Sequence, residues 1–525
     1  MEENKMSKGK EILAILLLTM VIGTGTLAWI VWSSKDNTKM NVTIGDLADV
    51  SFKTGNDINI SNLSPSFYYD DGALTEFSIR KKKGLTTELN TNIYLDITSI
   101  SDELKNDNFK YVLLSSSDGN TYNEVISSSF KDASVGKLSI VTDSPLTDGK
   151  TYYKFYIWID GNNENNETMQ GKSLKGTLNV DVSTPPVNAV TLVEGLDKGE
   201  TGDSGSGVYK VTHSAIASGS SATGSEIPAV TDYRYYGPSP NNYICLDMEG
   251  GSTCPDKHLY RIIGSIYEEK ENTNRIKVIK ATPLTDGTTN GFSWDYKVNN
   301  GSGSYDNIWA TITSGNYSNS LTSGSQLMKL LNSGAWWNGT SGSYYNNSTT
   351  ATTVNFTSYK LSDKAKSYII TSRYYLGGYN TPSGVMTNQF YAYERGTTRY
   401  DMNRPLYWDG YVGLMYPSDY GYAAGNSCVT GTDPNNYDGG CKNKDWLWMT
   451  TSSDYTNDAE WLMSPYSNYS DYVFGVISSG FVDDDISNDY DSNYVFSVRP
   501  VFYLSSSASI SEGDGTLNNP YLLSE

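Results

Sequence analysis

The chain has 525 residues, with 39 Lys plus Arg against 59 Asp plus Glu and a net charge of −20. That length exceeds one ordinary hydrophobic core and calls for two or three domains, while that charge excludes nucleic acid and anionic membrane faces as partners, because both repel a polyanion. The only two histidines, His213 and His258, exclude a His-rich metal site and argue against a His-based catalytic triad.

The first element in the chain is Ile12–Trp32, 21 residues without a charge, preceded by Lys5, Lys8 and Lys10. Its length matches a hydrocarbon core at helical rise, and the basic flank keeps the N-terminus cytoplasmic. Two readings compete: a retained signal anchor over residues 1–34, or a signal peptide cleaved near Thr26 and Ala28. Either reading puts the bulk of the chain outside the cytoplasmic membrane, the anchored form being single-pass.

Residues 40–184 read as an antiparallel β-sandwich. Thr75–Arg80, Leu89–Asp96, Phe109–Leu114, Lys137–Val141, Tyr152–Ile159 and Leu174–Val182 are β-branched or aromatic runs, and SSDGN and TDGK supply turns between them. Residues 185–230, with KGETGDSGSG and ASGSSATGSE, read as a Gly/Ser-rich linker carrying one short strand, Val208–Thr212.

Residues 231–525 read as a second domain, α+β with long loops. Its strands are Tyr243–Leu246, Leu259–Ile266, Arg275–Lys280, Val473–Ile477 and Val498–Leu504; its helices are Ser325–Leu331 and Ser362–Ile370. The fold class is therefore mainly β and multidomain. The four cysteines form two local pairs, Cys245/Cys254 and Cys428/Cys441, in polar loops. In an oxidising compartment such pairs read as disulfides. Arg499, inside a β run, must find acceptors and reads as a buried or half-buried anchor.

Two resemblances follow. The stretch from LAW (Leu27–Trp29) through NVTIGDL to YYKFYIWIDGN resembles the camelysin-type family of bacterial biofilm-fibre proteins. Residues 232–525, through DYRYYGPSPNNYICL, LYRIIGSI, YVGLMYPSDYGYA, EWLMSP, SVRPVFYLSSS and GDGTLNNPYLL, resemble anchored surface proteins that end in a C-type-lectin-like domain. That fold is similar to the formylglycine-generating, sulfatase-modifying enzymes and to variable receptors diversified by retroelements. The resemblance implies a small twisted sheet with a loop-built binding face.

One segment has its own alphabet. In Tyr466–Ser497, 21 of 32 residues are Asn, Asp, Ser or Tyr. All four are reached from an Asn codon by at most one adenine change, the residue that adenine-directed diversification would leave; an Asn/Ser/Tyr-rich composition throughout the chain is the competing account. Tyr with small polar residues is also the alphabet of antibody loops, where Tyr supplies rigid area and Ser, Asn and Asp adapt their hydrogen bonds. The expected binding residues are Tyr466, Asn468, Tyr469, Asp471, Tyr472, Phe481, Asp483, Asp485, Asn488, Tyr490, Asp491 and Tyr494.

Other chemistry is weaker. Asp483, Asp485, Asp489 and Asp491 offer oxygens for Ca²⁺, but no Gly or closing Glu completes an EF-hand, so a solvated acidic turn is the reading and no metal is expected. Gly202-Asp203-Ser204-Gly205 matches a serine-protease motif by chance in a polar stretch, and Glu394 and Asp409 stand too far apart to be paired from sequence. The expected function is a cell-surface receptor or adhesin for a protein or glycan ligand, not an enzyme, with no cofactor and with the cytoplasmic membrane and the ligand as partners. The alternatives are a fibre subunit that polymerises by donating Met40–Ile44 as an edge strand, and an enzyme on the formylglycine-generating-type fold.

Overall fold

The computed structural model describes residues 40–524 except 45–46, 62, 86–87, 163–165, 296–307, 311, 314–315, 318–323, 347, 349, 438, 450–458 and 484–493. Ile12–Trp32 lies outside the described residues, as do Asp485, Asn488, Tyr490 and Asp491. Among the described residues no helix is long and apolar enough to cross a membrane. The chain is mainly β and divides into two compact units, Met1–Pro185 and Pro186–Glu525.

The first unit is a sandwich of two sheets. One sheet runs in the order Met40–Ile44, Ala48–Phe52, Ala73–Lys81, Lys150–Asp160, Phe109–Ser116 and Asn123–Ser129; the short strand Pro65–Ser66 adds parallel to the end of Lys150–Asp160. The other runs Asp57–Ser61, Ser173–Ser183, Asn90–Ile100 and Gly136–Pro145. Every strand expected in this region is present, usually one to four residues longer at its ends. Alternation explains the packing: Phe77, Ile79, Phe109, Leu113, Phe155 and Ile157 of one sheet meet Ile93, Leu95, Leu174 and Leu178 of the other in a common core. Met40–Ile44 pairs antiparallel with Ala48–Phe52 of its own chain, at the edge of the first sheet.

The second unit is built on a nine-stranded sheet. Its main path is Val187–Asn188, Ser509–Glu512, Tyr521–Leu523, Tyr243–Cys245, Leu259–Glu268, Val230–Tyr236 and Gly207–His213, and Thr273–Lys280 joins Leu259–Glu268 to Val501–Tyr503. A three-stranded sheet, Ala459–Pro465, Val473–Ile477 and Val482–Asp483, carries the tyrosine-rich segment. Both helices expected from sequence form. Gln326–Asn332 is capped by Ser325, whose hydroxyl accepts from Met328 N, and Asp363–Ser367 is capped by Ser362, which accepts from Ala365 N. Thr387–Glu394, Pro417–Ala423 and Asn426–Gly431 are further short helices that the sequence reading left as loops.

Residues 185–230 are not a free linker. From Pro186 on they belong to the second unit: Asn188 caps the helix Ala189–Gly195, whose Ala189 and Val193 are buried, and Gly207–His213 pairs along its whole length with Val230–Tyr236. Gly202 sits at φ +75° with the Tyr209 ring 2.8 Å from where a Cβ would be. Gly202, which looks like flexibility in the sequence, is here demanded by a tight turn against an aromatic ring.

Candidate functional site

The frame beneath the tyrosine-rich segment is a buried set of charges. Arg499 donates to both carboxylate oxygens of Glu460, at 2.6 and 2.7 Å, and to the Leu447 carbonyl at 2.7 Å. Arg499 and Glu460 are both buried, which agrees with the anchor read from sequence. Trp461 N donates to Ser497 O, and Ser497 N donates to Ala459 O. The C-terminal end of the Tyr466–Ser497 segment is thus fastened to the strand that leads into it.

A second buried set lies among the motif residues. Arg234 donates to Asp232 at 2.8 Å and to Asp419 at 3.0 Å, Lys277 donates to Asp419 at 2.5 Å, and His213 Nε2 lies 2.8 Å from Asp232. Burial alone would raise the Asp232 carboxyl, but Arg234 and His213 hold it well below the usual carboxylate range. Burial lowers the Lys277 ammonium, with Asp419 opposing. Beside these, Glu394 accepts from Arg395 and from Ser418, and burial pushes its carboxyl up to about 7. Asp409 instead accepts from Arg373 at 2.9 Å. With each charge answered by a neighbour, this arrangement holds strands and the helix Pro417–Ala423 together.

On this frame, the loop between Ala459–Pro465 and Val473–Ile477 gathers three of the expected rings. Tyr466 and Tyr469 stack with centroids 5.7 Å apart, Tyr469 and Tyr472 lie 4.9 Å apart, and Tyr466 also meets Phe474 edge-on at 5.7 Å. Tyr466 is buried and roots the cluster, whereas Tyr469 is 54% exposed. Asn468 is exposed and Asp471 half-buried on the same loop. The others are elsewhere. Strand pairing of Ala459 with Ile477 puts the Phe481 turn at the opposite end of the hairpin, Asp483 pairs with Gly475 in mid-sheet, and Tyr494 stacks on Phe496 in the returning strand. The structure therefore brings together Tyr466, Asn468, Tyr469, Asp471 and Tyr472, and does not bring Phe481, Asp483 or Tyr494 to them.

Neighbours that the sequence reading missed complete this end. Tyr379 bridges to Tyr466 through backbone, its ring stacked on Tyr393 at 4.0 Å. Arg404 donates to Ser470 O at 2.9 Å and lies over the Tyr400 ring. Arg399 holds the Met402 carbonyl at 3.1 Å. Tyr400 and Met402 are 48% and 78% exposed, large apolar groups on the Arg399–Arg404 run that Arg404 ties to the Tyr469 loop at Ser470. Arg399, Tyr400, Arg404 and Pro465 also line a small cavity of about 20 Å³ that reaches in to Trp309 and Met463. The only sequence signal for this part was the run RYDMNR, Arg399–Arg404, aromatic and basic in an otherwise polar loop.

Both cysteine pairs are bonded, with Cα–Cα distances of 5.8 Å for Cys245–Cys254 and 5.7 Å for Cys428–Cys441. Among the described residues one group has the composition of a metal site: ligand atoms of Asp247, Glu249 and His258 lie within 4.8 Å of one another. Its oxygens are already engaged, Asp247 by Ser362 and Glu249 by Lys257 and His258, so the geometry is that of an ion-pair cluster beside the first disulfide. No protein-family model matches the chain, and no curated protein matches it.

Proposed function

We propose that the chain is a membrane-anchored, extracellular binding protein whose second unit recognises a protein or glycan through the face made by Tyr469, Tyr472, Tyr400, Met402 and Arg404. The observation that carries this reading is the pairing of an exposed ring set with a rigid base: Tyr469 projects from a loop rooted by buried Tyr466 and tied by Arg404. Large aromatic area held in place costs little ordering entropy on binding, which is how antibody loops use Tyr. The two disulfides and the apolar Ile12–Trp32 segment support an extracellular setting. The fastening of Ser497 to the strand that leads into the segment supports a surface whose exposed positions, Asn468 and Tyr469 among them, can change while the buried strands stay fixed.

The test is binding of fluorescently labelled full-length protein to panels of bacterial and animal cells by flow cytometry. A Tyr400→Ala/Tyr469→Ala double variant should lose about ten-fold or more of the binding seen with the parent, as expected for two aromatic anchors. Parent and variant binding equally would reject this face.

A further inference from the structure

The first unit carries a second aromatic site, on the face of its larger sheet turned away from the sandwich core. The strand Lys150–Asp160 is buried on both sides at its end: Phe155, Ile157 and Ile159 enter the core, while Tyr156 and Trp158 join Val112 and Leu114 in a separate cluster. Over this cluster sits the turn Phe67–Asp71. Tyr69 packs against Tyr156 at 5.2 Å and Trp158 at 6.1 Å. Phe67 and Tyr68 are 68% and 69% exposed. Together with Asp70, Asp160 and Asn162 these rings line an open cleft of about 390 Å³, within the size range of small-ligand sites.

The turn is fixed in place. Pro65–Ser66 pairs with Ile159–Asp160, Gly161 N donates to Ser66 O at 2.8 Å, and Ser66 Oγ donates to Asp71 and accepts from Tyr68 N. Gly72 passes so close to the sheet that a Cβ there would lie 2.4 Å from Ile157 O and 2.8 Å from Trp158 Cβ. Two large rings are therefore kept in water by a built backbone, against the hydrophobic preference to bury them.

We infer that this cleft binds a neutral glycan. A sugar ring offers a face of C–H bonds and an edge of hydroxyls. Phe67, Tyr68, Tyr69 and Trp158 supply flat apolar surface for the first. For the second, Asp70 has no hydrogen-bond partner among the described residues and is exposed, and Asn162 lies at the rim, its amide already donating to Asp160. Charge selects the class. Asp70 and Asp160 line the cleft against Lys110, which is spent on Asp160 at 2.6 Å. The surplus of carboxylates disfavours acidic polysaccharides and anionic lipid headgroups, which exposed aromatics alone would tolerate.

The site is independent of the tyrosine face of the second unit and is tested separately from it. Full-length protein is titrated with cellohexaose, maltohexaose and chitohexaose, with oligoguluronate and phosphatidylglycerol vesicles as anionic comparators, by calorimetry and saturation-transfer NMR. At least one neutral hexasaccharide should bind, and Phe67→Ala/Tyr68→Ala should weaken it about ten-fold or more through loss of ring stacking. Both side chains are exposed, so the variant's melting curve should match the parent's. Tyr400→Ala/Tyr469→Ala should leave this binding unchanged. The inference fails if no neutral hexasaccharide binds or if the Phe67/Tyr68 variant binds as the parent does. It also fails if those two rings instead support vesicle binding or dimerisation in sedimentation runs.

Discussion

Arg499 and Glu460 form a buried two-pronged ion pair across 39 residues of sequence, and the tyrosine-rich segment hangs between them. Glu460 lies in the strand that leads into Tyr466, and Arg499 follows directly on the strand that returns. Backbone bonds between Trp461 and Ser497 and between Ser497 and Ala459 close the same gap. The segment is thus held at its neck by a buried ion pair and backbone bonds. Inside it, Val473, Phe474, Val476 and Val482 are buried strand residues, so only exposed positions such as Asn468 and Tyr469 can be substituted without disturbing the sheet.

Replacing Arg499 by Met should destabilise the second unit by about 3–5 kcal/mol, because Glu460 is left as a buried carboxylate without its cation. Arg499→Lys should recover only part of this, since an ammonium cannot reproduce the two-pronged contact. A double Arg499→Met/Glu460→Met chain should regain much of the loss. Urea denaturation followed by tryptophan fluorescence measures these three and the single Glu460→Met chain, and additive effects of Arg499→Met and Glu460→Met in the double chain would show that the pair is not coupled.

Two tyrosines of one cluster should behave in opposite ways. Tyr466 is 8% exposed and packs on Phe474, so Tyr466→Ala should cost about 3–5 kcal/mol of stability. Tyr469 is 54% exposed, so Tyr469→Ala should shift stability by about 1 kcal/mol or less and act on binding instead. Thermal melts and cell-binding assays on the two variants separate root from contact.

The strands of the first unit were legible because each alternates or runs β-branched between turn signals, and tertiary pairing only lengthened them. The helices expected from Ser325 and Ser362 onward form, and the structure adds that each serine is the N-cap. What stayed hidden was set by distance in space. Arg404 reaches Ser470 across 66 residues, and Tyr379 meets Tyr466 across more, so the tyrosine face could not be assembled from a local window. Conversely, the described residues of the Tyr466–Ser497 segment are neighbours in sequence but not in space, since the hairpin puts the Phe481 turn at the end away from Tyr466. The Gly/Ser stretch was misread because composition reports the lack of side chains and not the reason for it. Gly202 has no side chain because Tyr209 occupies the space.

Gly202→Ala should destabilise the second unit by about 1–3 kcal/mol, from strain at positive φ together with overlap on the Tyr209 ring. Gly219, in the same polar stretch but with open space around it, should accept Ala with a change of about 0.5 kcal/mol or less. Equal tolerance at both positions, read from urea midpoints, would restore the linker interpretation.

The two histidines give a pH prediction that can be read residue by residue. His213 is stacked on Tyr391 at 3.6 Å and touches Asp232; burial lowers its pKa, with Asp232 opposing and Arg234 and Arg395 adding to the fall. His258 is lowered by burial too, with Glu249 opposing and Lys257 adding to the fall. In the unfolded chain both titrate near about 6.5. The folded chain therefore refuses protons that the unfolded chain accepts, so this contribution to stability is complete above that pH and is lost as pH falls below it. Glu394 works in the other direction. Its carboxyl is pushed up to about 7 in the folded chain, so its contribution is present below the unfolded value and is lost as pH rises toward neutrality. In Glu394→Gln, which retains a hydrogen-bonding side chain beside Ser418, the opposing contribution disappears. The stability of that variant should then fall as pH drops from about 6.5 to 5, more steeply than in the parent, by up to about 1.4 kcal/mol per pH unit for each histidine. Because the chain holds only two histidines, their ring protons can be followed individually by NMR. Midpoints below 6.5 for both are expected, and a midpoint at or above that value for His213 would mean that Asp232, and not burial, governs the ring.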